Sequence, residues 1–378
     1  MASPRRPSPT DSPRRPPRRD PAVASIALAW RELTGSGDRR TLVACSAGCD
    51  SSALLLALSA VTSQLVVGHV LHDLRPTGET AQDRDAAGRL AGALGLPFVA
   101  AEVRVRGWAG NAEANARRAR YGALASLAAS SGCRFIATAH HADDQLESVL
   151  MGLLRGAGPR GLSGVARRRA LHAGEGAPVT LVRPMLGSAD GRCRPITRAE
   201  CERLCAEAGW AWREDRSNAD TALLRNALRG EVIPILRRLR PRAAEHAAAA
   251  AAIQSDMARL LGRAAVEQAA RLGNLSAGRG DNGDGSLWPR EEARALPPAL
   301  LFEMLRVRLL DPGGGGGGSG GADRLTRRVL GPIVRAVRDG RTDPRTFDLP
   351  MLPVPRRVRV EAERVLFLDP PRGPGLAV

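Results

Sequence analysis

The sequence predicts an α/β protein, a doubly wound parallel sheet followed by a mainly helical second domain with a small C-terminal β element. Three observations carry that prediction. Short apolar runs alternate with helical stretches from Ile26 to about Ala139. A turn of small residues, Ser46–Ser51, joins the first of those runs to a helix. Beyond Pro241 the composition changes to an Ala-rich helical segment. Strands separated by helices of such length pair in parallel, because the chain must cross the sheet before it adds the next strand.

Taken in order, residues 1–22 hold repeated Pro-Arg pairs and almost nothing apolar, so they are expected to be a disordered arm. The candidate strands are 41–46, 65–71, 97–103 and 134–139, and the helices that follow them are 51–60, 79–94, 111–130 and 143–154. Residues 155–180 are rich in Gly and Arg and read as a mobile loop. A helix at 197–208, a polar stretch at 213–220 and a helix over about 221–239 complete a catalytic domain of residues 23–240. Residues 241–378 form the second domain, with helices at 243–272, 291–310 and 322–339. Two Gly-rich inserts (278–286 and 313–321) interrupt it, and a hairpin built on Val358, Val360, Val365 and Phe367 ends it.

Composition narrows the function. The formal charge is +17 and all 56 basic residues are Arg, which points to a polyanionic partner. The abundance of Ala, Gly and Pro is what a GC-rich coding bias would produce, and such a bias raises Arg as well, which discounts the charge as a signal. The six cysteines show no CxxC pair and no disulfide framework, which removes support for a structural zinc or a thioredoxin-like site. No apolar run approaches a membrane span and no signal-peptide core is present, so a cytoplasmic protein without a membrane partner is expected.

Four segments carry chemistry. Ser46, Ala47, Gly48, Cys49, Asp50 and Ser51 lie where a strand meets a helix, the arrangement in which backbone amides and a helix N-terminus converge on a phosphate. The loop lacks both GxxxxGK[ST] and GxGxxG, so it is neither Walker A nor a dinucleotide fingerprint. The second segment is Thr138–Glu147, where Asp144 and Glu147 are three residues apart on one helical face. Such carboxylates stabilise a helix N-terminus, and beside a phosphate loop they also suit Mg²⁺. His140 there is a candidate general acid/base or phosphate contact. The third segment places Arg117 and Arg120 on one face ahead of Tyr121, either as a solvated basic face or as stabilisers of charge on a transferring group. The fourth runs from Glu214 to Asp220 and on through Arg225-Asn226 to Arg229, a capping turn feeding a basic helix.

Ordered along the chain, these motifs resemble those of the tRNA(Ile)-lysidine synthetases, members of the N-type ATP pyrophosphatases with a PP-loop. The likeness rests on S-A-G-C-D-S at 46–51, H-x-x-H-x-L-R at 69–75, E-x-x-x-R-x-x-R-Y at 113–121 and T-A-H-H-A-D-D-Q-x-E at 138–147. It continues through R-G-A-G-x-x-G-L at 155–162, R-P-M-L at 183–186, and E-D-x-S-N-x-D followed by R-N-x-L-R at 214–229. The resemblance implies ATP and Mg²⁺ as cofactors, and L-lysine and a tRNA(Ile) with a CAU anticodon as partners. ATP would adenylate the wobble cytidine at its C2 oxygen, and the lysine amine would then displace AMP. Ser46–Ser51 would hold ATP, with Asp50 and Asp144 as metal or lysine-side carboxylates. His140 and Glu147 would complete that pocket, with Glu147 or Asp144 on the lysine ammonium. Arg117 or Arg120, together with Arg225, would stabilise the adenylate phosphate or position the tRNA. Residues 241–378 would form a tRNA-binding module. The oligomeric state is left open, a homodimer among the alternatives.

One residue departs from the pattern. Ala47 stands where the family's loop carries glycine, and the cost depends on whether φ there is positive. If it is, weaker ATP binding is expected, relieved by Ala47→Gly. Two rivals stay open: a tRNA thiolase of the same superfamily, which would need reactive cysteines such as Cys133 or Cys205, and a catalytically inactive basic RNA-binding protein.

Overall fold

The structure is a computed structural model that describes residues 13–35, 37, 39–73, 77–110, 112–171, 178–188, 190–213, 223–277, 287–310, 325–350, 352 and 356–368. The chain divides into two compact units at Ser255 and Asp256.

In the first unit, α1 (Pro21–Thr34) starts on Asp20, whose carboxylate accepts from the Ala22 and Val23 amides, with proline at the first helical position. Next come β1 (Thr41–Ala44), α2 (Cys49–Ser59), β2 (Leu65–His72), α3 (Thr77–Ala93), β3 (Phe98–Val103), α4 (Ala112–Ser130), β4 (Phe135–Ala137) and α5 (Ala142–Leu154). These eight elements lie where the alternating pattern puts them. The sheet has the order β3-β2-β1-β4-β6-β5, parallel except at its β5 edge.

Strand periodicity sorts the core onto two faces. Val43, Val67, Ala137 and Val182 point into a cluster formed with α1, α2 and α3, whereas Leu42, Val66, Ile136 and Leu181 point toward α4. Gly68 is required by this packing, since a Cβ there would sit 2.5 Å from Leu42 Cδ2. Every residue of α2 except Asp50 is buried, as a helix covered on all sides must be. Two findings correct the sequence reading. The arm is ordered from residue 13: Pro13 and Pro16 are buried. Arg15 donates to Leu94 O at 2.5 Å and Arg18 to Ala60 O at 2.6 Å, both at helix C-termini, where carbonyls lack partners and cations are favoured. Residues 1–12 lie outside the described residues.

The second correction concerns 155–180, which contains α6 (Pro159–Leu162), β5 (Arg168–Leu171) and, closing the segment, β6 (Val179–Val182). β5 escapes detection because only Leu171 is buried, and its arginines are tolerated on an edge strand. The unit continues with α7 (Arg198–Glu207), opened by a Thr197/Glu200 capping box. The helix expected over 221–239 is α8 (Leu223–Ala227), a π turn (Leu228–Val232) and α9 (Ile233–Leu239). Pro234 removes a donor just where the ladder slips. Residues 214–220 lie outside the described residues, and α10 (Ala243–Ala277) follows.

The second unit contains β7 (Leu287–Pro289), α11 (Arg290–Ala295), α12 (Pro298–Leu310), α13 (Arg327–Arg338), β8 (Arg345–Leu349), β9 (Arg356–Val360) and β10 (Arg364–Leu368). Pro297 and Pro298 split the helix expected over 291–310. The expected hairpin is β9–β10, but it sits inside a four-stranded antiparallel sheet, β7-β10-β9-β8. Trp288 packs edge-on against Phe367, with ring centroids 4.6 Å apart. Arg290, 5% exposed, donates to the carbonyls of Ala336, Val337, Asp339, Arg341 and Glu361, tying the end of α13 to the sheet. Both Gly-rich inserts lie outside the described residues.

Candidate active site

The phosphate loop and the histidine segment leave the carboxyl ends of β1 and β4, adjacent central strands. The chain winds from β1 outward through β2 and β3, then returns to β4 on the other side of β1. This is the topological switch point, where ligands of such sheets bind. β6 ends beside β4 and delivers Arg183 to the same edge. His72 is the last residue of β2, one strand further from β4.

Within the loop, Ser51 Oγ accepts from the Ser46 amide at 3.1 Å and donates to Gly48 O at 3.1 Å, closing the turn onto the first turn of α2. The first amides of α2 lack intrahelical acceptors and so suit an anion. Ala47 has φ +62°, alone in this among the described non-glycine residues. Its side chain is fully buried and its carbonyl accepts from Arg213 N at 3.0 Å. The fold itself therefore imposes the left-handed conformation, whose cost of about 1–2 kcal/mol falls on stability. The condition set by the sequence, a positive φ at Ala47, is thus met, and the contacts that hold the loop place the resulting strain within the scaffold. Cys49 contributes its carbonyl to the Cys205 thiol at 3.4 Å.

The two adjacent histidines face opposite charges. His141 Nε2 lies 3.4 Å from Asp50 Oδ1, and its Nδ1 lies 3.5 Å from Asp143 and 3.7 Å from Asp144. Burial would depress its pKa, but the Asp50 hydrogen bond and the Asp144, Asp50 and Asp143 charges push it up to about 9. Burial also works to raise Asp50. His141 and Arg198, the latter 2.7 Å from Asp50 Oδ2, outweigh it and hold that carboxyl below its usual range. Asp144 is raised by burial, by Asp50 and by Glu147, against the pull of His141. Its carboxylate accepts the His141 amide at 3.0 Å.

His140 turns the other way. Its Nδ1 accepts from Arg183 Nε at 3.2 Å and lies 3.1 Å from Thr138 Oγ1. Burial and the charges of Arg183, Arg117 and Arg120 hold its pKa well below 6.5. Arg117, Arg120 and Arg169 lie over the Tyr121 ring, 5.3, 5.7 and 5.0 Å from its centroid. Burial would raise the Tyr121 hydroxyl, but Arg183, Arg117 and Arg120 bring it below 10.

These contacts correct the sequence reading in two respects. The imidazole beside Asp50 and Asp144 is that of His141, not His140, which joins the arginines. Arg225 and Glu147, which the sequence reading assigned to different tasks, are ion partners of each other. Arg229 Nε completes a clamp on Glu147 at 2.6 Å, and Glu147 is only 3% exposed. The clamp joins α5 to α8 and the π turn. Sequence reasoning missed Arg169 and Arg198 as members of the cluster, and gave no site role to His141, Asp143, Arg183 and Arg229, which its motifs contain. The capping box ahead of Arg198 and the strand ahead of Arg183 were the available signals.

The carboxylates suit Mg²⁺. Asp50 and Asp144 are hard oxygen donors, Asp144 is crowded by like charges, and Asp50 Oδ1 is buried without a full hydrogen bond. Among the described residues no cluster of three or more His, Cys, Asp or Glu forms a cage by itself, and Mg²⁺ ordinarily takes one or two carboxylates and completes its shell with phosphate and water. The cysteines suit thiolate chemistry poorly. All six are buried. Burial pushes the Cys45 and Cys201 thiols up, and the Cys49 hydrogen bond together with burial does so for Cys205.

Comparison with known proteins agrees with this architecture. The PP-loop domain family matches residues 24–236. A tRNA(Ile)-lysidine synthase of Geobacter sulfurreducens is 40% identical over 242 residues, covering 62% of this chain and 48% of that protein. One from Salinispora tropica is 41% identical over 223 residues, covering 57% of this chain and 62% of that protein. The chain thus spans about half to three-fifths of the length of these relatives. Among solved structures, the U34-tRNA thiolase NcsA of Methanococcus maripaludis superposes with a TM-score of 0.48 at 14% identity, over 61% of this chain and 78% of that one. No helix among the described residues is long and apolar enough to cross a membrane.

Proposed function

The chain belongs to the PP-loop domain family, and from that premise we propose that it joins L-lysine to C2 of the wobble cytidine of a tRNA(Ile) with a CAU anticodon. The observation that carries this reading is the meeting, at one switch point, of an ATP-binding loop, an acidic group and an arginine group. In the first step the cytidine C2 oxygen attacks the α-phosphorus of ATP and pyrophosphate leaves. In the second the lysine amine attacks C2, the C–O bond to AMP breaks, and lysidine forms.

Each group has a task in that sequence. The amides that open α2 and the hydroxyls of Ser46 and Ser51 cradle the leaving pyrophosphate. Mg²⁺ held by Asp50 and Asp144 would neutralise the phosphate oxygens. Asp144 gains most from a cation, be it Mg²⁺ or the lysine ammonium, because Asp50 and Glu147 crowd it. Arg117 and Arg120 offer positive charge to the α-phosphoryl group and to the tRNA backbone. Glu147, already clamped by two guanidinium groups, positions Arg225 and Arg229 and leaves the lysine to Asp144. The second unit, rich in arginine, supplies further tRNA contacts, and a cytoplasmic enzyme working as a monomer or homodimer fits the reading.

The test is incubation with ATP, Mg²⁺, labelled lysine and tRNA(Ile) bearing CAU. The expected result is lysine incorporation with stoichiometric AMP and pyrophosphate, lost in Asp50→Asn. ATP turnover with sulfur transfer and no lysine incorporation would favour the thiolase, and tRNA binding without pyrophosphate release would favour an inactive RNA-binding protein.

A further inference from the structure

Arg183 has no role in the scheme above, yet it is 2% exposed and lies between the two polar side chains of the arginine group. Its Nε donates to His140 Nδ1 at 3.2 Å, its Nη2 to Tyr121 Oη at 3.4 Å, and its Nη1 to the Ala166 carbonyl. Its own amide donates to Arg167 O at 2.9 Å, so main chain and side chain both fix the guanidinium. A guanidinium has donors only. Nδ1 of His140 must therefore present its lone pair, and the proton of the neutral ring sits on Nε2. Thr138 Oγ1, 3.1 Å from the same nitrogen, does not alter this, because a hydroxyl donates as readily as it accepts.

We propose that Arg183 is a positioning residue that locks His140 in its Nε2–H tautomer, so that His140 serves the reaction as a hydrogen-bond donor to a phosphoryl oxygen and not as a general base. The surroundings agree: the charges that bear on His140 are those of Arg183, Arg117, Arg120 and the neighbouring His141, all positive, a setting for an anion. His69 provides the opposite case within the chain. Its Nδ1 lies 2.8 Å from the Cys45 carbonyl, which can only accept, so His69 carries its proton on Nδ1. The inference rests on the adenylation reading only for the identity of the anion.

The experiment is histidine ¹H–¹⁵N correlation on the full chain at pH 7.5, with His140 assigned through His140→Gln and His69 as internal reference. His140 should show an unprotonated Nδ1 and a protonated Nε2, the reverse of His69. In Arg183→Met the two tautomers should mix, and kcat for tRNA-dependent pyrophosphate release should fall roughly tenfold with KM for ATP held. Its pH profile should also shift, the ionisation of His140 moving upward because one of the charges that hold it down is gone while burial, Arg117, Arg120 and His141 remain. Arg183→Lys, which keeps the charge, should recover part of the rate. A wild-type His140 that is charged or protonated on Nδ1 overturns the proposal, as does an Arg183→Met variant with unchanged tautomer and pH profile. Should Arg183→Met fail to fold, the wild-type spectrum and the Arg183→Lys profile still decide. A correct tautomer in a chain that incorporates no lysine would instead sink the functional reading alone.

Discussion

His140 and His141 are neighbours in the chain and lie at the end of the same strand, yet one sits among arginines and the other among carboxylates. The first is neutral and presents a lone pair to Arg183, while the second is an imidazolium shared by Asp50, Asp143 and Asp144. Nothing intrinsic to the residues separates them. The charges are brought by segments far away in sequence: Arg117 and Arg120 on α4, Arg183 after β6, Asp50 on α2, Arg198 on α7. A parallel sheet makes this division possible, because every strand ends at the same edge and adjacent residues there turn to opposite sides.

The strongest way to break the comparison is to remove charge from the acidic side. Asp50→Asn should lower tRNA-dependent pyrophosphate release by roughly 10²–10³, about 3–4 kcal/mol of barrier, while tRNA affinity is kept. Equal losses of both, measured by filter binding and pyrophosphate assay, would show that the two sides are not separate in function. Next in size is Glu147→Gln, which releases Arg225 and Arg229 from a buried carboxylate. Charged hydrogen bonds of this kind are worth about 2 kcal/mol after allowance for the half-exposed arginines. Thermal unfolding should show that loss, and an unchanged Tm would mean that the clamp contributes nothing.

The pH dependence of stability sharpens the comparison, because the two histidines act in opposite directions. His141, raised to about 9, contributes fully below pH 6.5 and loses its contribution as pH climbs through 9. His140, held low, contributes above pH 6.5 and loses its share as pH falls toward its folded value. Urea titrations in metal-free buffer should therefore show highest stability near pH 6.5 from this pair. His141→Asn should flatten the alkaline arm and His140→Gln the acid arm. The smallest expected effect is that of Ala47→Gly, at the loop that both sides share. Relief of about 1–2 kcal/mol of strain is offset by loss of a buried methyl worth about 0.8 kcal/mol and by added chain entropy. Stability should change by less than about 1 kcal/mol and ATP affinity should hold. A large gain in affinity by calorimetry would restore the idea that Ala47 obstructs ATP.

How much of this was legible in the sequence depends on burial. β1, β2 and β4 could be read because buried apolar runs leave a plain pattern, and the edge strand β3 because Phe98–Ala101 is apolar throughout although none of its residues is buried. β5 could not, since an edge strand of the type Arg-Arg-Ala-Leu obeys no such pattern. The ordered arm was hidden for a related reason: its prolines pack and its arginines bond to helix ends, so it holds to the fold without an apolar run. In the site, the loop and Asp144 stood out by motif, and Arg117 and Arg120 by helical spacing. Which of two adjacent histidines meets which charge is a long-range property. Arg198 reaches Asp50 across 148 residues, and Glu147 finds Arg229 across 82. Local pattern holds no record of such pairings.

The division of the site by charge is tested most directly by titrating the histidines of the wild-type chain by NMR in metal-free buffer. One of the adjacent pair should remain an imidazolium at neutral pH and lose its proton near 9, while the other stays neutral to well below 6.5. If His140 and His141 titrate together near 6.5, the two sides share one environment and the account fails.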